Sequence, residues 1–225
     1  MSQTSKQAVL WLITLIFLSF VGLSFQLFPE RLESLHQHWI TPDDLDIGYF
    51  LLVLFAYFTY KNFTHSQIKP NIYFFPVVLF LAFVFFLAQY LDLKTVFFAA
   101  LAAFFPAVLV TSLGLNTAKK IIIPWALVVT AMPFWYLAVP VLQTITVEVV
   151  SFLSSALSLT ALVEGNFFHI PSGVIHVAGG CSGLKYFLTS MALALISSCL
   201  SKRGFALSMS SVLIAASFAM IGNWI

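Results

Sequence analysis

Long, uninterrupted apolar runs constrain the fold of this chain more than any other feature of its sequence. A helix needs roughly 20 apolar residues to cross the hydrocarbon core of a bilayer, and the 225 residues hold several runs of about that length. Only 8% of the residues are charged, whereas soluble domains carry about 25%. We therefore predict an all-α polytopic membrane protein. The net charge is +2, which suggests no nucleic-acid-binding surface.

Eight segments are candidates for membrane-spanning helices, and we predict about seven to eight spans. The candidates are residues 8–28, 46–60, 71–90, 95–115, 121–139, 142–162, 182–200 and 205–225. The first is too long for the core of a cleaved signal peptide, which is about 7–15 residues, and no small-residue cleavage site follows it. The sixth contains Glu148 and several serines, so we expect it to lie partly in the membrane interface.

The basic residues predict the orientation, because lysine and arginine are enriched on the cytoplasmic side of membrane proteins. If the first five candidates cross in turn, seven of the ten basic residues fall on one side: Lys6, Lys61, Lys69, Lys119, Lys120, Lys202 and Arg203. We assign that side, and with it the N-terminus, to the cytoplasm. Residues 140–181 then begin and end on the outer face, because the next helix must run inward to reach Lys202.

A short alternating stretch precedes the seventh candidate. Residues 165–180 read GNFFHIPSGVIHVAGG, in which apolar and polar or small side chains alternate around a Pro-Ser-Gly turn. This pattern predicts a β-hairpin. Lipid does not tolerate unpaired strand edges, so we expect the hairpin, or an equivalent loop, at the outer interface just before the helix that bears Cys181.

Cys181 lies in the sequence HVAGGCSGLKYFL, at the outer mouth of the predicted helix 182–200. A helix N-terminus stabilises a thiolate, and the ammonium of Lys185, four residues later, can add to this effect. The N–H groups of Gly183 and Leu184 are candidate oxyanion donors. The small neighbours would let a substrate approach closely; they are Gly179, Gly180, Ser182 and Gly183.

The competing interpretation is packing, since cysteine is a small apolar residue in membrane helices and glycine often packs them together. Cys199 fits that role, because no glycines surround it in ISSCL. Asn223 bears on the choice. About 20 residues run inward from Cys181 and about 20 return after the turn SKRG, which is roughly 30 Å each way. Asn223 is therefore predicted at the depth of Cys181, either as a site residue or as a helix-packing amide.

The motif GGCSGLKYF, followed about forty residues later by GNWI, resembles the exosortase/archaeosortase family of membrane transpeptidase-like cysteine proteases. The resemblance is best over residues 120–225, and residues 1–120 match mainly in hydropathy, so we interpret 1–225 as one transmembrane domain. It implies that Cys181 is the nucleophile and forms an acyl-thioester. Supporting residues are predicted to be Gly180, Ser182, Gly183, Lys185 and Asn223.

The resemblance also implies a substrate, a location and a biological setting. Such enzymes cleave exported proteins near a C-terminal sorting tail, which carries a Pro-Glu-Pro type motif, a membrane helix and a basic cluster. The chain is then expected in the bacterial inner membrane, with its active site on the outer face and the lipid bilayer around it. The family is associated with exopolysaccharide and biofilm systems. No cofactor and no metal are implied.

The sequence departs from the family pattern after Asn223. The family uses an arginine shortly after the asparagine motif and a histidine on a later helix, and neither follows within residues 1–225. The resemblance therefore implies that the C-terminal end of the family domain is missing. His176 and His169 are the internal candidates for a base, since a Cys–His pair activates a thiol, although hairpin histidines are more often surface residues.

Two other functions compete with the protease. The first is a non-catalytic, exopolysaccharide-associated membrane protein that keeps the fold without the full catalytic set. The second is a small transporter or channel, which should show ionisable residues in mid-span. Apart from Glu148, the predicted spans carry no charge in their middle, which disfavours a transporter.

Overall fold

The structure, a computed structural model, describes residues 15, 19, 22–23, 26–41, 47–62, 69–159 and 161–224, and it is mostly helical. From residue 29 onward the helices are α1 Pro29–Ile40, α2 Gly48–Asn62, α3 Phe75–Tyr90, α4 Lys94–Leu113, α5 Leu115–Thr130, α6 Val139–Ala156, α7 Leu184–Leu200 and α8 Phe205–Trp224. The strands are β1 Leu162–Glu164, β2 Phe167–Ile170 and β3 Gly173–His176. The chain forms two compact units, one of residues 1–134 with 195–205 and one of residues 135–194 with 206–225.

Four helices in the described part of the chain are long and apolar enough to cross a membrane. They are Ile72–Tyr90, Lys94–Leu113, Pro133–Ala156 and Phe205–Trp224. Helices α2 and α7 are apolar but shorter. Three of the four long helices correspond to the predicted spans 71–90, 95–115 and 205–225. The predicted total of seven to eight spans is not confirmed, and the predicted span 8–28 lies mostly outside the described residues. Only 11% of the Ile72–Tyr90 stretch is buried within the protein, as expected for an apolar helix that faces lipid.

The predicted spans 121–139 and 142–162 have the wrong boundaries. Helix α5 ends at Thr130, the chain turns, and a 3-10 helix over Pro133–Ala138 runs directly into α6. The turn is buried rather than polar, since Ala131 is fully buried and its carbonyl accepts a hydrogen bond from Trp39 Nε1 at 2.8 Å. Hydropathy cannot locate such a turn. The serines of α6 do not interrupt it either, because hydroxyls such as Ser155 bond to a carbonyl of their own helix.

Aromatic side chains from three helices form the core of the first unit. Phe55 of α2 lies edge-on to Phe105 of α4 and Trp125 of α5, with ring centroids 5.9 and 5.5 Å apart. Phe105 is fully buried, and Trp125 donates its indole N–H to the carbonyl of Ala102 at 2.9 Å. The indole dipole is therefore satisfied inside an apolar core, as a buried tryptophan requires.

A charged group fixes α1 to the turn between α3 and α4. Arg31 is 5% exposed, forms an ion pair with Asp92, and donates from Nε to Gln89 Oε1 at 2.8 Å. Its guanidinium also lies 5.8 Å from the ring centroid of Phe97. A buried guanidinium is tolerated only when it is paired and hydrogen-bonded. These contacts therefore hold the start of α1 in place.

The three strands form one antiparallel sheet in the second unit, in the order β1-β2-β3. Strands β2 and β3 are the two arms of the predicted hairpin, joined through Pro171 and Ser172. The sequence did not indicate β1, whose three residues pair with β2. Phe168 is buried against Val147 of α6 and Val177, so one face of the sheet packs on α6.

We expect Asp92→Asn to lower the free energy of unfolding by about 1–2 kcal/mol, because it leaves the buried Arg31 without its counter-ion. Asparagine tolerates the left-handed backbone of residue 92, whose φ is 55°, so the substitution tests the charge alone. Thermal unfolding of the detergent-solubilised protein measures the effect. The control Glu30→Gln removes an exposed carboxylate from α1 and should cost less than about 0.5 kcal/mol. Equal melting temperatures for the two variants would contradict the role given to the ion pair.

Candidate functional site

Cys181 lies on a 3-10 turn over Gly179–Ser182, which immediately precedes α7. Its N–H donates to the carbonyl of Ala178 at 2.9 Å, which closes the turn. Cys181 therefore lies just before the helix, near the mouth predicted for it, although α7 begins at Leu184 and not at residue 182. Gly183 adopts a left-handed conformation with φ of 79°, and this residue separates the 3-10 turn from α7.

The residues of the CSG sequence differ sharply in burial. The Cys181 side chain is exposed, whereas Ser182 is only 1% exposed. The Ser182 hydroxyl accepts a hydrogen bond from the Leu184 N–H at 3.4 Å. One of the two predicted oxyanion donors is therefore engaged by a neighbouring side chain, and the role of the Gly183 N–H stays a prediction.

Asn223, near the end of α8, contacts the cysteine turn directly. Its Nδ2 donates to the Cys181 carbonyl oxygen at 3.2 Å. The structure thus brings these two predicted site residues together, as the similar lengths of the two apolar segments before and after the turn SKRG suggested. The amide bonds to the backbone and not to the sulfur, so Asn223 fixes the peptide that carries the thiol and leaves the thiol accessible.

Gly183 permits this close approach. A Cβ atom built at Gly183 would lie 2.9 Å from the side-chain carbon Cγ of Asn223 and 3.2 Å from the sulfur of Met220. No side chain fits between the turn and α8, and the left-handed backbone independently favours glycine. Gly180 differs, because a Cβ there meets nothing within 4 Å. Space is therefore open beside Cys181 on the Gly180 side.

Two residues of α6 that the sequence did not predict as partners bond to segments on either side of the turn. Gln143 donates its amide to the carbonyl of Val177, and the buried Thr146 hydroxyl accepts from Trp224 Nε1 at 3.1 Å. Residues 143, 146, 147 and 150 share one helical face, and Val147 and Val150 on that face pack on the sheet. The spacing of Gln143 and Thr146, two polar residues three apart in an apolar segment, was the signal that could have identified this face.

The two candidate histidines already have other partners. His169 Nε2 lies 3.5 Å from a carboxylate oxygen of Glu164. His176 stacks on Phe167, with ring centroids 4.5 Å apart. Cross-strand pairing places Glu164, Phe167 and His176 on one face of the sheet. Within the described residues, no hydrogen bond or ion pair joins either histidine to Cys181.

The remaining thiol and lysine have simpler surroundings. Cys199 is 2% exposed near the end of α7, as expected for the packing role predicted for it. Lys185 is exposed on the first turn of α7. No group of three or more metal-ligating histidine, cysteine or acidic side chains occurs among the residues that the structure describes.

We expect Gly183→Ala to destabilise the protein by about 2–4 kcal/mol, because it strains a left-handed residue and pushes the Asn223 amide away. Gly180→Ala, three residues earlier, is the matched control and should cost less than about 1 kcal/mol, since its Cβ enters open space. Thermal unfolding of both variants in the same detergent compares them. Similar melting temperatures for the two would contradict the tight contact between the turn and α8.

Residues 39–225 match the transmembrane exosortase family. No curated protein and no solved structure matches the chain. The match covers well over half of the sequence, including the cysteine turn, α8 and the four apolar helices long enough to cross a bilayer. The chain is therefore a membrane protein and belongs to the transmembrane exosortase family.

Proposed function

We propose that the protein is a membrane-embedded cysteine protease or transpeptidase, with Cys181 as its nucleophile, that processes the C-terminal sorting tails of exported proteins. The observation that carries the proposal is the exposed Cys181 thiol on a turn whose backbone is held by Asn223. Family membership supports the reaction class. The substrate class comes from the resemblance of the cysteine and asparagine motifs to those of the family.

In the proposed reaction, the Cys181 thiolate attacks the carbonyl carbon of the scissile peptide bond in the tail. A C–S bond forms, the C–N bond breaks, and the leaving nitrogen takes up the proton that the thiol released when it ionised, so the tail leaves as an amine. An acceptor amine or water then attacks the thioester and releases the thiolate. The anchored turn contributes by fixing the backbone that carries the thiol, and the positioning of reacting groups supplies a large part of catalysis.

The open side of the turn suits a peptide substrate. Gly180 leaves open space beside the thiol, because a Cβ at Gly180 would meet no atom within 4 Å. An extended tail backbone could therefore approach the sulfur without moving a side chain. We place the turn at the outer face of the bacterial inner membrane, so that a tail anchored by its own membrane helix presents its scissile bond at the level of Cys181.

His169 and His176 are assigned no part in the proposed reaction. Glu164 pairs with the first and Phe167 stacks on the second, so both rings are engaged within the sheet. Their engagement favours a structural role, in which they stabilise the sheet face that points away from α6.

Replacing the nucleophile tests the proposal. We expect Cys181→Ala and Cys181→Ser to reduce tail cleavage by at least about 10³-fold, as loss of a nucleophile does in other enzymes. Cys199→Ala is the matched control and should leave cleavage unchanged, because Cys199 is buried in α7. The substrate is an exported reporter that ends in a Pro-Glu-Pro motif, an apolar helix and a basic cluster. It is co-expressed with the gene through its natural stop codon, and cleavage is measured as loss of a C-terminal epitope.

The cleavage assay distinguishes the proposed protease function from the main alternative, a non-catalytic membrane protein. Cleavage that continues in both Cys181 variants would assign the chemistry to another residue. A reporter that is never cleaved by the wild-type protein, although both are in the membrane, would favour the non-catalytic exopolysaccharide-associated protein. Stable expression of every variant is verified on the same blots, so that a loss of cleavage is not mistaken for a loss of protein.

Thiol labelling tests the accessibility and the orientation together. We expect Cys181 in the Cys199→Ala variant to react with a membrane-impermeant maleimide at least about tenfold faster than Cys199 in the Cys181→Ala variant, because only Cys181 is exposed. The reaction is run on intact spheroplasts and again after permeabilisation. Labelling of Cys181 only after permeabilisation would place the turn on the cytoplasmic side and contradict the orientation.

A further inference from the structure

The first unit contains a cationic cavity that the proposed reaction does not use. Its volume is about 350 Å³, within the range of about 300–1,000 Å³ typical of small-ligand sites. Half of the ten basic residues of the chain line it: Lys61, Lys119, Lys120, Lys202 and Arg203. These five are all among the seven that the sequence analysis assigned to one side of the membrane. The charged side chains that line the cavity are therefore all positive.

No acidic side chain is among the lining residues that the structure gives for this cavity. The five cations come from three separate parts of the sequence, namely the end of α2, the first half of α5 and the turn between α7 and α8. Like charges gathered at the edge of an apolar protein repel each other more strongly than they would in bulk water. An anion held among them would remove that repulsion.

A buried hydroxyl provides independent evidence for a ligand. Ser198 lines the cavity and is 1% exposed, and its Oγ has no hydrogen-bond partner among the described residues. Buried hydroxyls are normally hydrogen-bonded, so an unpartnered one requires an explanation. A ligand oxygen in the cavity would accept this hydrogen bond. Phe205, the first residue of α8, also lines the cavity, and a helix N-terminus favours anions.

We propose that this cavity binds a phosphate group. Phosphate combines the negative charge that the cations require with several acceptor oxygens for the Ser198 hydroxyl and the lysine ammonium groups. A phospholipid headgroup and free phosphate share this chemistry. The lining residues lie where apolar helices end, since Lys61 is near the end of α2 and Lys202 lies between α7 and α8. Basic pockets at that level of a membrane protein bind anionic headgroups.

Calorimetric titration of the full chain in a neutral detergent tests the site. The ligands are short-chain phosphatidylglycerol, short-chain phosphatidylcholine and inorganic phosphate, each added separately. We expect phosphatidylglycerol to bind at least tenfold more tightly than phosphatidylcholine. Inorganic phosphate that competes with phosphatidylglycerol at similar affinity would identify free phosphate as the ligand, whereas weak competition would identify the lipid headgroup. Both results support a phosphate site.

Variants assign the binding to this cavity. Lys119→Gln combined with Lys120→Gln should weaken phosphatidylglycerol binding at least tenfold, and Ser198→Ala should weaken it about three- to tenfold. Lys94→Gln removes an exposed lysine at the start of α4, outside the cavity, and should leave the affinity unchanged. Both lysines of the double variant are exposed, so it is expected to fold, and its melting temperature is compared with that of wild type.

Two results would overturn the proposal. One is equal binding of phosphatidylglycerol and phosphatidylcholine to the wild-type protein, with no binding of phosphate. The other is undiminished binding in the folded Lys119→Gln/Lys120→Gln variant. The titration measures no cleavage, so its failure leaves the assignment of Cys181 as nucleophile untouched, and a failure of the cleavage assay leaves the phosphate site untouched.

Discussion

The hydrogen bonds that hold the backbone of residues 177–183 are the interactions on which the candidate site depends. Irregular backbone lacks the regular hydrogen bonds of a helix, so a fixed conformation needs donors and acceptors from other parts of the protein. Gln143 of α6 donates to the carbonyl of Val177, and Asn223 of α8 donates to the carbonyl of Cys181. The Cys181 N–H bonds within the turn. Two long apolar helices thus supply the donors that a short non-helical segment lacks.

This arrangement explains why Asn223 and Trp224 are adjacent in the sequence. Asn223 bonds to the cysteine turn, and Trp224 bonds to Thr146 of α6. The end of α8 is therefore hydrogen-bonded both to the cysteine turn and to α6. A shift of α8 would break both contacts at once, so the position of Cys181 is coupled to the packing of α6 and α8.

Hydropathy predicted the elements that are bounded by polar residues and failed where a boundary is apolar. The candidate 71–90 corresponds to Ile72–Tyr90, and 205–225 to Phe205–Trp224, because an Asn, an Asp or a Lys-Arg pair marks their ends. The turn at Ala131 is buried and uncharged, so hydropathy did not mark it; the local signal is Pro133, since proline often follows a helix end by one to three residues. Strand β1 was missed for a related reason, since three residues become a strand only by pairing with β2.

The site was predictable where chain length determined the geometry. The two apolar segments on either side of the turn SKRG have similar lengths, which predicted that Asn223 lies near Cys181. The structure joins the two residues by a hydrogen bond. Gln143 and Thr146 were not predicted as partners, because their contacts depend on how α6 packs against the sheet and α8. The start of α7 was placed too early for a local reason: Gly183 can adopt a left-handed conformation, but a glycine in the sequence does not reveal whether it does.

The burial of the CSG residues bears directly on whether Cys181 is present for packing or for chemistry. Ser182 is buried and caps the Leu184 N–H, and Gly183 leaves room for α8. Both residues therefore have structural functions. Cys199 shows what a packing cysteine looks like in this protein, with 2% of its surface exposed. Cys181 is exposed, and its backbone is held by the bond from its N–H to Ala178 and by the bond from Asn223 to its carbonyl. An accessible thiol on a fixed backbone fits the chemical role proposed for Cys181 better than a packing role.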